Sequence, residues 1–334
     1  MTLGSADRQT PCVSERFEVV CLGRVSIDMY PLQTGLGLDA IASFGKFLGG
    51  SATNVAVAAA RLGHSTAIVT RTGADGFGKF VRSELERFGV SPRYVAPVQG
   101  MQTPVTFCEL FPPDDFPLYF YQSGPLPYFQ IRADELDIAA LESAGVYWST
   151  LTGLAQEPSR EAHHAAWRAR GRKPNTVLDL DYRARFWRSR EEAEREVHRA
   201  LPRATVAIGN VEECALATGE TNPIAAARAL LDAGVELAIV KQGPLGALGM
   251  TSTDTVMVPA MQAEVVNGLG AGDAFGGAIC HGLLAGWPLE RMLRFASAAG
   301  ALVATRLECA NAMPSLVEVE QALHSGKATI TDMR

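Results

Sequence analysis

No stretch of this chain approaches the roughly 18 uninterrupted apolar residues that a membrane-spanning helix needs. It also lacks a block of basic residues. The formal net charge is −6, so nothing offsets the repulsion of a phosphate backbone, and a nucleic-acid partner is not expected. The 6 cysteines, Cys12, Cys21, Cys108, Cys214, Cys280 and Cys309, are scattered without a C-x-x-C pair, which argues against a zinc site or a disulfide framework. Several, such as Cys21 in "FEVVCLG", lie in apolar runs where a free thiol behaves as a small hydrophobe. The opening residues 1–16, "MTLGSADRQTPCVSER", are polar and hold no apolar h-region. They read as a flexible tail, and the cytoplasm is the expected location. No repeat of fixed period is visible, and no G-x-G-x-x-G follows the first strand-like run. G-x-x-x-x-G-K-[ST] is absent as well, so the dinucleotide fingerprint and the P-loop both fail.

What the chain does have is 47% hydrophobic residues over a length of 334, enough for one large α/β domain with insertions. Short apolar runs, "FEVVCLG", "TAIVTRTG", "GVYWST", "TVLDLD", "ATVAIG" and "ELAIVK", alternate with helical patterns. That alternation predicts a mostly parallel sheet covered on both faces. "SATNVAVAAARLG" carries Val55, Ala58, Ala59 and Leu62 at helical spacing and stops at Gly63. Two regions break the alternation, about 29–47, glycine-rich and poorly helical, and about 103–121, "TPVTFCELFPPDDFPLYFY". The second reads as two β-runs around a "PPDDFP" turn. Together they predict a small β-lid.

Ligands of open parallel sheets bind beyond the strands' carboxyl ends, so the turns there are the places to search. "NGLGAGDAFGGAICHGLL" packs Gly268, Gly270 and Gly272 before Asp273, and Phe275, Ile279 and Leu283 then recur as on a buried helix stripe. A glycine turn opening onto a helix N-terminus attracts an anion. After the first strand comes Asp28; "FLGGSATN" then sets Gly49 and Gly50 before Asn54. A short carboxylate and an amide beside glycine backbone suit the hydroxyls of a sugar, although Ser51 or Thr53 capping a helix beyond a plain turn explains the stretch equally well. Arg183, just past "TVLDLD", could grip a carboxylate or phosphate or stand solvated. Asn210 and Glu213 in "NVEE" could hold a hydrated magnesium, or Asn210 could simply cap the helix. Lys241 followed by "QGPLGALG", with Gly243 and Gly246, offers backbone to a nucleotide.

Taken together, "FLGGSATNVAVAAARLG", "NVEE" and "NGLGAGDAFGGAICHGL", in that order, resemble the signatures of the ribokinase-like (PfkB) carbohydrate kinase family, from about residue 17 to about 323. "FGKFLGGSATN", "LDLDYRARFW" and "CANAMPS" look most like its sugar-acid branch. The resemblance implies a ribokinase-like three-layer α/β/α fold over 17–325, with a mostly parallel central sheet and the β-lid. It implies ATP-dependent phosphorylation of a primary hydroxyl, with Mg²⁺, of a small sugar acid such as 5-dehydro-2-deoxygluconate or 2-keto-3-deoxygluconate. Asp273 would be the base, ionised at its helix end, and Gly270, Ala271 and Gly272 would hold the transferring phosphate. Asp28, Gly49, Gly50, Asn54, Tyr121 and Arg183 would contact the sugar. Asn210, Lys241, Gly243, Gly246, Gly270 and Asn311 would meet the nucleotide, and Glu213 the metal.

Two departures stand out. Asn267 and Gly268 replace the family's usual aspartate–threonine, which leaves its monovalent cation open. Gln122 stands where the sugar-acid branch places an arginine after Tyr121, which admits a neutral sugar or a nucleoside as the alternative acceptor. A sugar-binding sensor without catalysis is a third reading, opposed by the intact "GAGD". A homodimer is compatible with such a lid.

Overall fold

The computed structural model describes residues 16–328 except 123; most of the expected N-terminal tail, and Cys12 with it, lies outside them. The six apolar runs become strands Val19–Leu22, Thr66–Gly73, Val146–Thr150, Thr176–Asp179, Val206–Asn210 and Leu237–Lys241. They join a 10-stranded sheet. Its order runs Thr255–Val258, Ala247–Met250, Leu237–Lys241, Val206–Asn210, Thr176–Asp179, Val146–Thr150, Val19–Leu22, Thr66–Gly73, Val90–Ser91, and Val95–Val98 also pairs with Thr66–Gly73. The pairings are parallel except the last two at the Thr255–Val258 edge, which are antiparallel.

Strand parity explains why both faces are covered. In Val19–Leu22, Val19 and Cys21 enter one core, with Val55, Phe275, Ile279 and Phe295 from helices Ser51–Arg61, Ala271–Leu284 and Leu289–Ala304. Val20 and Leu22 enter the other, with Trp167, Val197, Leu216 and Leu230 from helices on the opposite face. A strand buried on both sides must read as a continuous apolar run, as this one does. The result is a three-layer α/β/α sandwich. The described cysteines, Cys21, Cys108, Cys214, Cys280 and Cys309, are all buried free thiols.

The two irregular regions pair into a second, 4-stranded sheet in the order Phe44–Gly49, Ser26–Pro31, Val105–Cys108, Leu118–Tyr121. It begins at Ser26 and runs through Gly49, so Asp28 and Gly49 are themselves strand residues. Cross-strand register puts Asp28 opposite Phe47 and Thr106, and Thr106 opposite Phe120. These four share one face. Tyr121 pairs with Val105, which faces Ile27, and so belongs to the other face.

Two helices decide where the site forms. Ser51–Arg61 and Ala271–Leu284 pack closely because Gly277 has no side chain; a Cβ there would collide with the Cβ of Ala58. The close crossing brings the N-terminal ends of both helices together at the carboxyl edge of the sheet.

Candidate active site

The helix Ala271–Leu284 starts from Gly270, whose φ of 84° lies in the left-handed region and whose missing Cβ leaves room for Cys309 Sγ, 2.8 Å from where it would stand. No side chain caps this end. The Ala271 amide donates to Gly268 O over a long 3.4 Å, while among the described residues the Gly272 amide has no backbone acceptor. An uncapped first turn is a ready anion site. The Lys241 ammonium stands beside it, 3.4 Å from where a Gly272 Cβ would be. Burial works against that ammonium, but Asp179, Glu213 and Asp273 outweigh it and keep its pKa above the ordinary lysine value.

Asp273 is in the first turn of this helix. Its Oδ2 accepts from Asn54 Nδ2 at 2.8 Å, across the crossing of the two helices. The sequence suggests a carboxylate kept ionised by the helix end, and burial in the structure works against that helix end. Burial pushes its pKa up to about 6, with Asp181 adding to the rise and Asn54, Lys241 and Arg183 opposing it. A pKa there is closer to what a general base at neutral pH requires.

The diglycine serves two contacts. A Cβ on Gly49 would overlap the carboxyl of Asp28, and one on Gly50 (φ 101°) would come within 2.5 Å of Arg24 O. Asp28 accepts from Ser26 Oγ at 2.7 Å and from Tyr30 Oη at 3.4 Å. Burial raises its pKa, while Ser26, Arg24 and Tyr30 oppose the rise. Neither hydroxyl that could have capped the helix does so. Gly50 is the N-cap, Ser51 Oγ donates to Asp181 Oδ2 at 3.1 Å, and Thr53 Oγ1 donates to Arg24 O at 3.1 Å.

Arg183 is not a free cation. Its guanidinium pairs with Asp181 Oδ1 at 2.9 Å and approaches Glu213 Oε1 at 3.8 Å. Burial opposes the Asp181 carboxylate, but Arg183, Arg24, Ser51 and Thr152 outweigh it and hold its pKa below the usual range. Asn210 and Glu213 form a reciprocal helix cap. Asn210 Oδ1 accepts from the Glu213 amide, and Glu213 Oε2 accepts from the Asn210 amide, each at 2.8 Å. This leaves Glu213 Oε1 as the oxygen turned toward Arg183. Asp179 Oδ1 is buried with no hydrogen-bond partner, and burial drives its pKa well above the carboxylate range.

Gly243 (φ 57°) and Gly246 (φ 99°) follow Lys241 at the same edge. Gly243 has open space at its Cβ position, whereas Gly246 is required because the chain passes against Val258 O. Two expected site residues are placed elsewhere. Tyr121 is 68% exposed, on the face of its strand opposite Asp28, because strand side chains alternate. It packs edge-on against Phe107 instead. Asn311 is exposed and accepts from Arg87 at 3.3 Å, since its turn packs under Ser51–Arg61 and Phe44–Gly49. Three residues that local reading missed are Arg24, Asp179 and Asp181, all buried. The acids of "LDLD" had a signal, carboxylates inside an apolar strand run. Arg24, a lone arginine in a turn, had none.

Residues 16–316 match the family model described as pfkB family carbohydrate kinase. A 5-dehydro-2-deoxygluconokinase of Shouchella clausii (strain KSM-K16) is 30% identical over 311 residues, covering 92% of this chain and 95% of that protein. A 5-dehydro-2-deoxygluconokinase of Geobacillus thermodenitrificans (strain NG80-2) is 28% identical over 335 residues, 98% of each. The crystal structure of a putative ribokinase II from E. coli in complex with ATP and Mg²⁺ superposes with a TM-score of 0.83 at 23% identity, over 92% of this chain and 99% of that one. With a match that runs through both glycine turns and the aspartate at the open helix end, this chain belongs to the pfkB family of carbohydrate kinases.

Proposed function

We propose that this kinase transfers the γ-phosphoryl group of ATP to a primary hydroxyl of a small sugar acid, with 5-dehydro-2-deoxygluconate first and 2-keto-3-deoxygluconate second. The observation that carries the reaction type is the Asn54–Asp273 hydrogen bond, which joins the sugar-side motif to the open helix end. The substrate rests on the relatives named above as 5-dehydro-2-deoxygluconokinases.

In this reading residues 17–325 form one kinase domain, and the 4-stranded sheet closes over the sugar. Asp28 and Asn54 hold hydroxyls beside Gly49 and Gly50. Asp273 accepts the proton of the attacking hydroxyl as its oxygen bonds to the γ-phosphorus, whose bond to the β–γ bridging oxygen breaks to release ADP. The amides of Gly270, Ala271 and Gly272 receive the transferring group, and Lys241 balances its charge from the side. Phosphoryl transfer asks mainly for positioning and neutralisation of this kind. In the same reading Asn210, Lys241, Gly243 and Gly246 meet the nucleotide.

The donor set fits magnesium carried in on the nucleotide. Asp179 Oδ1 is buried with no partner, and a cation beside it would offset the burial that keeps its carboxyl protonated. Glu213 lies close by, and Mg²⁺ asks few protein ligands because it keeps waters and phosphate oxygens. Bound there, Mg²⁺ would neutralise phosphate charge. The neutral-sugar alternative draws on Gln122 and on Arg183 being engaged by Asp181.

A coupled assay of ADP release over sugar acids, neutral sugars and nucleosides tests the reading. The expected result is the highest kcat/KM on 5-dehydro-2-deoxygluconate. A clear preference for fructose, ribose or a nucleoside would reject the acid and leave the kinase.

A further inference from the structure

Among the described residues, three arginines are less than a tenth exposed, and two of them are held by several hydrogen bonds. Arg170 donates to Thr176 Oγ1 and to the carbonyls of Leu141, Ala144 and Pro174, all within 2.9 Å. Arg71 pairs with Glu135 at 2.7 Å and donates to Thr70 O and Tyr94 O. Arg24 is 9% exposed, yet among the described residues its side chain makes no hydrogen bond and has no carboxylate within 4 Å; its Nε is buried without a partner. A buried guanidinium left in that state is costly unless something else completes it.

Its surroundings say what that something is. The Arg24 backbone is pinned at the carboxyl end of the first strand, where Thr53 Oγ1 donates to its carbonyl. The guanidinium carbon lies 5.9 Å from the centroid of Phe120, on the face of the small sheet that also carries Asp28. Phe120 packs edge-on against Phe186, and Phe186 against Tyr128, making an apolar wall. Tyr128 Oη donates to Gln122 Oε1 at 3.3 Å, so the Gln122 amide turns its Nε2 into buried space, again without a partner. Arg24 acts electrostatically on Asp28, Asp181 and Tyr128, so these groups lie near one another. Orphaned cationic and amide donors beside the hydroxyl-binding Asp28 are complementary to a planar anion. Arg183 Nε is likewise buried without a partner, but its terminal nitrogens face Asp181 at 2.9 Å and Glu213 at 3.8 Å, so its charge is already shared with two carboxylates.

We propose that Arg24, helped by the Gln122 amide, holds the carboxylate of the sugar acid and so sets the preference for an acidic over a neutral sugar. This rests on the sugar-acid reading above. It assigns the specificity to a residue of the first strand's turn, while Gln122, just past the small sheet's strand Leu118–Tyr121, supplies only a neutral hydrogen bond.

The test is steady-state kinetics of wild type, Arg24→Met and Arg24→Lys with 5-dehydro-2-deoxygluconate, 2-keto-3-deoxygluconate and D-fructose. Arg24→Met should raise KM for the acids by about 10- to 100-fold, the range of a lost charge-assisted contact. It should leave KM for ATP and for fructose within about twofold, and Arg24→Lys should fall between. If wild type prefers an acid and both variants keep its KM within about threefold, or lose acid and fructose activity alike, the Arg24 assignment fails while the sugar-acid reading stands. If wild type prefers fructose, both fail. Should Arg24→Met not fold, inhibition of the wild type decides together with Arg24→Lys. D-gluconate should compete with the sugar at least about tenfold better than D-glucitol, and Arg24→Lys should erode that difference. Equal competition by the two would overturn the proposal.

Discussion

At the scale of single residues, Asp273 is caught between two requirements. A base must be ionised near neutrality, yet burial favours its neutral form and lifts its pKa to about 6. The activity consequence is an acidic limb. kcat/KM should fall about tenfold per pH unit below an apparent pKa near 6, because the protonated carboxyl cannot take the hydroxyl proton. The stability consequence has the opposite sense. A carboxyl whose pKa is higher folded than unfolded stabilises the fold while protonated in both states. That contribution is lost as pH rises from the unfolded value through about 6. Asp273→Asn should therefore lower kcat by about 10²- to 10⁴-fold, keep ATP affinity, and raise Tm at pH 7.5, with the gain in Tm vanishing near pH 4. Retention of more than about a tenth of kcat would remove Asp273 as the base.

At the scale of elements, the sugar side is shaped by two strands and a helix that must nearly touch. Asp28 occupies the space a side chain at Gly49 would need, and Gly50 lies against the Arg24 carbonyl. Gly49→Ala should push Asp28 out of place and raise the sugar KM by roughly 5- to 100-fold, as expected for one or two lost buried hydrogen bonds of about 1–3 kcal/mol, while KM for ATP stays nearly unchanged. Equal rises for both substrates would mean that the diglycine supports the helix Ser51–Arg61 rather than the sugar contact. Gly50→Ala is a different case, since its φ of 101° strains any other residue. It should cost stability first.

At the scale of the whole molecule, no helix among the described residues is long and apolar enough to cross a membrane, and the site is assembled from segments distributed along the whole sheet edge. Arg24, Asn54, Asp179, Lys241 and Asp273 come from five separate turns or element ends. A ligand that bridges them stabilises the folded state by mass action, about 2.7 kcal/mol at a hundred times its Kd. For a chain of this size that is a rise in Tm of roughly 5 °C. The sugar acid together with MgADP should produce such a shift in a thermal melt, and fructose at equal concentration should not. The reverse order would speak for a neutral acceptor.

Much of the fold and part of the site were legible in the chain itself. Apolar runs such as Val19–Leu22 announce strands buried on both faces because such a strand has no polar side. The glycines before Asp273 mark a helix entry because only backbone without Cβ can take φ 84° against Cys309. These are local constraints, written in neighbouring residues. What remained hidden concerns which groups meet across the fold. Arg183 reads as a free cation until the fold sets it 2.9 Å from Asp181. Tyr121 reads as a sugar contact until strand register turns it away from Asp28. Arg24 gives no sign at all until the helix Ser51–Arg61, Phe120 and Tyr128 close around it and leave its Nε alone. Partners far apart in sequence leave no periodicity to read. Whether a charge is spent or free is set by distances and burial that exist only after the layers have packed.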